Sequence, residues 1–128
     1  MRMTFTLNYL TERNKIMEEY IKDVSGHFQG LNYGLVKDGK LVAVSLGSVR
    51  HWWEGTNYNI EEFCVEPSEQ GKGTGSKFMV MIEDDIRKCG LAGIFLQTDE
   101  DKPSYSFYLK NSFKPLSAHV SLYKSVKS

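Results

Sequence analysis

The sequence carries no excess of either charge. Its 16 lysines and arginines match its 16 aspartates and glutamates, so the formal net charge is zero. No cluster or stripe of Lys/Arg offsets that balance, which argues against a dedicated nucleic-acid binder. No apolar run is long enough to span a bilayer, so no membrane partner is expected. A leader pattern is missing too, because Glu12, Arg13, Asn14 and Lys15 interrupt the N-terminus early, and a cytoplasmic protein is expected. Cysteine is scarce: Cys64 and Cys89 are far apart, and no Cys-x-x-Cys spacing exists. His27, His51 and His119 are scattered. This distribution argues against a zinc site, and no metal is expected. Both cysteines lie in apolar stretches and read as buried packing in a reducing compartment. No repeat, low-complexity tract or linker divides the 128 residues, so one domain over 1–128 with a sizeable core is expected.

What is present alternates between strand and helix periods. Met3, Phe5 and Leu7 suggest a short first strand. Thr11 is a helix N-cap candidate, Ile16, Tyr20 and Val24 recur at helical spacing, and Gly26 can end that segment. Leu31 to Val36 and Leu41 to Val49 read as strands joined by Asp38-Gly39, a dipeptide that tolerates the positive φ of a tight hairpin. His51 to Thr56 reads as a second turn. Its Trp52 and Trp53 would be costly to leave exposed, so some contact is expected for them. A strand follows from about Tyr58 to Glu66, stopped by Pro67, which has no N–H to donate. Ser76 to Cys89 reads as an amphipathic helix with Phe78, Ile82, Ile86 and Cys89 on one face and Gly90 as its stop. Ile94 to Leu96 is a short buried strand. Pro103 opens a last helix to about Lys110, and Phe113 to Leu116 and Val120 to Val126 read as closing strand segments. The order implies a mixed α/β layer with one parallel crossover.

The chemically informative segment is Gln70-Gly71-Lys72-Gly73-Thr74-Gly75-Ser76, between a strand end and a helix start. Backbone N–H groups at a helix N-terminus lack internal partners, and the helix dipole adds positive potential there. Such a site binds phosphate with few cationic side chains. Glycines 71, 73 and 75 allow close backbone approach, and Lys72 adds one positive charge. A P-loop needs Ser or Thr after the lysine, but Gly73 follows Lys72. A dinucleotide-binding glycine pattern needs Gly where Ser76 stands, after a parallel strand.

The Gln70-x-x-Gly73-x-Gly75 spacing after a strand ending in Val65 resembles the GCN5-related N-acetyltransferase (GNAT) superfamily. Ile60-Glu61-Glu62-Phe63-Cys64-Val65 looks like that family's fourth strand, and Phe107-Tyr108-Leu109-Lys110-Asn111-Ser112-Phe113 like its helix-end signature. The likeness runs from about Leu31 to the C-terminus and is nearest to the small-amine acetyltransferases. Two departures stand out. Ser112 replaces the signature's glycine, and since a left-handed serine is costly, Asn111 is expected to take that conformation instead. The stretch before Leu31 holds one clear helix where the family usually has two, so the N-terminal helical region is shortened.

The resemblance implies a central, mostly antiparallel sheet with one parallel pair splayed to hold coenzyme A and helices on both faces. It implies direct acetyl transfer from acetyl-CoA to a primary amine. Backbone groups of Phe63, Cys64 and Val65 would bind the pantetheine arm, the Val65 N–H would hold the thioester oxygen, and Gln70 to Ser76 would hold the pyrophosphate. Tyr108 is the implied general acid. Glu61 is the implied general base, directly or through water, with Glu62 as its rival. Alternation places those two carboxylates on opposite faces. Glu54, Glu61, Glu62, Asp99, Glu100 and Asp101 could draw in a cationic acceptor. A small-molecule amine is the expected partner, and a homodimer completing the pocket stays open. So do two other readings on the same fold: a non-catalytic acyl-CoA-binding module and a protein or peptide N-acetyltransferase.

Overall fold

Asp38 and Gly39 both adopt positive φ, 52° and 76°. This is the primed turn expected of them, and it matches the twist of the strands it joins. Those strands are β2 (Gly30–Lys37) and β3 (Lys40–Trp52). The computed structural model describes residues 2–4, 30–52 and 55–127. The expected strand positions Phe5 and Leu7, the helix from Thr11 to Gly26, and Trp53 and Glu54 lie outside the described residues. The chain divides into two compact units, Met1–Gln97 and Thr98–Ser128.

Among the described residues of the first unit, five strands lie in sequence order, with β1 spanning Arg2–Thr4, β4 Gly55–Val65 and β5 Gly93–Phe95. The first three pairings are antiparallel and the last, β4 with β5, is parallel. The expected mixed sheet with one parallel pair is therefore present. The turn read at His51 to Thr56 is corrected at both ends. His51 and Trp52 pair with Thr56 and Gly55 and belong to the strands. Between β3 and β4, Leu46 faces Glu62 while its neighbour Gly47 faces Ile60. Glu61 is thus the extra residue of a β-bulge. Gly47 is obligatory beside it, because a Cβ there would lie 2.0 Å from the Asn59 carbonyl oxygen.

Helix α1 (Thr74–Lys88) begins two residues earlier than the periodicity suggested and buries Phe78, Met79, Ile82 and Ile86. It covers one sheet face: Phe63 stacks on Phe78 with centroids 5.5 Å apart, and the Tyr33 hydroxyl donates to Asp85 at 2.6 Å. Tyr58 packs edge-on against Tyr33 and shares a 2.8 Å hydrogen bond with Ser45. Burial pushes both tyrosine pKa values upward, so the two hydroxyls act as neutral hydrogen-bonding groups. Gly90 (φ 80°) stops α1: its N–H bonds the Arg87 carbonyl and the Leu91 N–H bonds that of Ile86, the paired closure typical of helix ends. Cys89 caps the helix and is exposed, while Cys64 is half-buried. The expected burial of both cysteines is corrected for Cys89, because the chain leaves the apolar face at the cap.

The second unit holds α2 (Pro103–Lys110), with proline in its first turn as expected. Its end corrects the expectation for Asn111. Ser112 takes the left-handed conformation (φ 71°) and Asn111 has φ −96°. The same paired closure forms, Ser112 N–H to Leu109 and Phe113 N–H to Tyr108. The Asn111 side chain donates to the Phe107 carbonyl at 2.8 Å. Fixing Asn111 in that bond leaves the αL position to its neighbour. The strands expected at Phe113–Leu116 and Val120–Val126 are also corrected, since residues 113–127 contain none. Val120, Leu122, Tyr123 and Val126 are 79% to 91% exposed, and alternation alone cannot make a strand without a lateral partner.

Candidate active site

Val65 ends β4 and Pro67 opens a single 3-10 turn, Pro67–Glu69. The loop then reaches α1 through two left-handed glycines, Gly71 (φ 78°) and Gly73 (φ 79°). An added Cβ at either would meet nothing within 4 Å. Backbone conformation and open space on the Cβ side, not crowding by the protein, explain these glycines. Gly73 is the N-cap of α1 and makes no side-chain cap bond. The first helical bond runs from the Lys77 N–H to the Gly73 carbonyl, so the N–H groups of Thr74, Gly75 and Ser76 precede the intrahelical ladder. Glycines leaving space, leading N–H groups and adjacent Lys72 make a cradle that fits a diphosphate. Gln70 is used differently from its neighbours: its side-chain amide donates to the Val65 carbonyl at 3.1 Å, tying the loop back to the strand end.

The second feature is the edge of β4. Parallel pairing with β5 covers Asn57 to Asn59, while β4 continues to Val65. The Glu66 N–H bonds the Val42 carbonyl on β3 at 2.8 Å. Backbone groups alternate along a strand, so those of Val65 and Phe63 point away from β3 and those of Cys64 point toward it. Of the three strand residues expected to meet the pantetheine arm, Phe63 and Val65 thus present outward backbone and Cys64 sits between them. The bulge at Glu61 sets this phase.

The bulge also overturns the expectation that Glu61 and Glu62 lie on opposite faces. Glu62 pairs with Leu46, which shares its face with Arg50, and the Glu61 carboxylate is 3.8 Å from the Arg50 guanidinium. Both carboxylates are exposed on the face opposite α1. The Cys64 thiol donates to Glu62 Oε1 at 3.5 Å. Burial, then the neighbouring Glu62 charge, holds that thiol pKa above its usual range. Cys64 is therefore a poor thiolate source. Tyr108 belongs to the second unit, where it is buried with its ring 5.3 Å from both Phe107 and Phe113.

The structure adds four residues that sequence reading passed over, Glu69, Lys37, Lys40 and Glu66. Glu69, only 8% exposed, accepts from Thr74 Oγ1 at 2.9 Å and from Lys37 Nζ at 3.2 Å. The Thr74 hydrogen bond, then Lys37, lowers its pKa. Lys40 meets Glu66 at 2.8 Å. A glutamate beside a glycine loop reads as solvated. The available signal was Pro67, whose helical turn brings Glu69 round toward Thr74.

Among the described residues no His/Cys/Asp/Glu group could hold a metal, and no helix is long and apolar enough to cross a membrane. No curated protein matches the chain. Solved structures do. An aminoglycoside N-acetyltransferase, AAC(6')-Iy, in complex with CoA superposes with a TM-score of 0.74 at 14% identity, over 97% of each chain. The aminoglycoside 6'-N-acetyltransferase AAC(6')-IG from Acinetobacter haemolyticus gives 0.70 at 14%, over 99% of this chain and 100% of that one. Glucosamine-6-phosphate N-acetyltransferase from Arabidopsis thaliana gives 0.69 at 14%, over 98% of each. Such identities establish a shared fold and no more. The sequence model of the Acetyltransferase (GNAT) family matches residues 2–113.

Proposed function

Because the chain belongs to the acetyltransferase (GNAT) family, we propose that it is an N-acetyltransferase, acting as one domain, that moves an acetyl group from acetyl-CoA to a primary amine by direct attack. One observation carries this reading: β4 runs past its parallel partner into a loop whose glycines, Gly71 and Gly73, are left-handed with open Cβ directions, at the N-terminus of α1. Acetyl-CoA supplies the activated thioester. Gly71 to Ser76 would hold its pyrophosphate, Gln70 would brace the loop, and outward backbone at Phe63 and Val65 would align the arm. The Val65 N–H would stabilise charge on the thioester oxygen.

Glu61, directly or through a water, takes the proton from the amine, and Glu62 on the same face is the rival. The motif match gives Tyr108 the general-acid role, donating its phenolic proton to the departing sulfur. The raised pKa of the Cys64 thiol supports direct attack over an acyl-cysteine route, which needs a thiolate. Aminoglycoside and glucosamine-6-phosphate N-acetylation are the activities named for the similar structures, so amine-bearing sugars are the first acceptors to try.

The test is release of free coenzyme A thiol from acetyl-CoA across aminosugars, aminoglycosides, polyamines and N-terminal peptides. Amine-dependent release with a matching acetylated product is expected. Tight acetyl-CoA binding with no turnover on any amine would make the protein a binding module instead.

A further inference from the structure

We propose that Glu69 is a positioning residue that clasps the cofactor loop shut before the cofactor arrives, by holding Thr74 across the loop and Lys37 beneath it. The proposal rests on reading the loop as the coenzyme A site. Gln70, Gly71, Lys72 and Gly73 separate Glu69 from Thr74. With two glycines among them, ordering them costs more backbone entropy than ordering other residues would. The Glu69 carboxylate spans that gap. It accepts from Thr74 Oγ1 at 2.9 Å and from Lys37 Nζ at 3.2 and 3.4 Å. Both ends of the clasp are buried, Glu69 at 8% and Thr74 at 2% exposure. The bond is not a helix cap, because the N-cap of α1 is Gly73.

Electrostatics make the placement informative. A carboxylate beside a diphosphate site repels the ligand, so mere proximity would weaken binding. Lys37 sits at the end of β2, next to the Asp38-Gly39 turn, and offsets that charge. Lys40 begins β3 on the other side of the turn and pairs with Glu66 at 2.8 Å. The Glu66 N–H bonds Val42 at 2.8 Å. The β2–β3 hairpin is thereby tied to both sides of the Pro67 turn, and the loop is held in its binding shape on a rigid base. A loop ordered in advance does not charge its ordering cost against affinity.

The two explanations of Glu69 predict opposite signs. If it is only a nearby charge, Glu69→Ala tightens coenzyme A binding. If it is a clasp, Glu69→Ala weakens binding about tenfold, the weight of a lost hydrogen bond to a charged group. Glu69→Gln, which keeps an acceptor for Thr74, recovers most of that loss. Coenzyme A affinity would be measured by calorimetry on wild type and both variants, with amide hydrogen exchange of residues 70–73 in the cofactor-free protein. Faster exchange there in Glu69→Ala, slowed again in Glu69→Gln, is expected. Equal or tighter binding by Glu69→Ala overturns the clasp. So does equal weakening in both variants that tracks a fall in melting temperature. If Glu69→Ala does not fold, Thr74→Val removes only the hydroxyl, and unchanged affinity in that variant overturns the clasp as well. Wild type failing to bind coenzyme A removes the site reading itself. Wild type binding normally while Glu69→Ala also binds normally removes the clasp alone.

Discussion

Gly73→Ala separates the conformational role of the loop from its ligand role. Gly73 has φ 79° and open space where a Cβ would go. Alanine there meets no clash, so its cost to the free protein is the left-handed strain alone, about 1–2 kcal/mol. For a domain of this size that lowers the melting temperature by roughly 3–10 °C. Gly90 is the control. It has φ 80°, nothing within 4 Å of its Cβ, and lies at the other end of α1. A 15-residue helix puts it about 22 Å away. Both alanine variants should lose similar stability without ligand. At acetyl-CoA concentrations 100 times its dissociation constant, wild type and Gly90→Ala should each gain about 2.7 kcal/mol. In Gly73→Ala the new methyl would occupy the proposed diphosphate cradle. A hundredfold loss of affinity would cut that gain to about 0.4 kcal/mol. Differential scanning fluorimetry with and without acetyl-CoA reads all of these. An equal acetyl-CoA shift in Gly73→Ala and Gly90→Ala would refute the assignment of the loop.

Ser112→Gly should stabilise the protein by about 1 kcal/mol, because glycine adopts φ 71° without the penalty serine bears; chemical denaturation would show it, and a loss of stability would contradict the strain argument. Gly47→Ala should cost more than about 3 kcal/mol or prevent folding, since its Cβ would press on the Asn59 carbonyl oxygen at 2.0 Å, an overpacking that backbone cannot relieve; soluble expression and thermal melting decide it. Glu61→Gln should lower turnover about 100-fold as expected for loss of a general base, with Glu62→Gln affected less; the reverse order would transfer the role to Glu62. Tyr108→Phe should lower kcat while leaving acetyl-CoA affinity near wild type, and unchanged turnover would remove its general-acid role.

The strand order, the primed turn at Asp38-Gly39, the proline-opened α2 and the glycine loop were legible because each rests on local chemistry. Positive φ, a missing N–H and apolar periodicity are properties of a few adjacent residues. The bulge was not legible. Glu61 and Glu62 read as ordinary alternating positions, and only pairing with β3 shows that Glu61 is the supernumerary residue. The Glu69–Thr74–Lys37 cluster was hidden for the same reason, since Lys37 lies 32 positions from Glu69. The Asn111 expectation failed on a choice between two local bonds: its side chain bonds the Phe107 carbonyl, and Ser112 turns the chain. The tail from Phe113 onward shows the limit of alternation, which describes two faces but cannot supply a neighbour.

The extra residue in β4 acts as a phase shifter within a single strand. Upstream of it, the outward-facing backbone belongs to Thr56, whose carbonyl accepts from Ala92, and so to the even-numbered positions. Downstream it belongs to Phe63 and Val65. Deleting Glu61 would return the strand to one phase. Leu46 would still pair with Glu62 and Gly47 with Ile60, so Phe63 and Val65 would keep their outward backbone and the Phe63 ring its place on Phe78. The residue proposed to take the proton from the amine is thus the one position of β4 that the β3 ladder does not use. Catalytic chemistry and cofactor alignment are therefore separable here: a shortening of β4 by this one residue would remove the proposed base and leave the strand's aim unchanged.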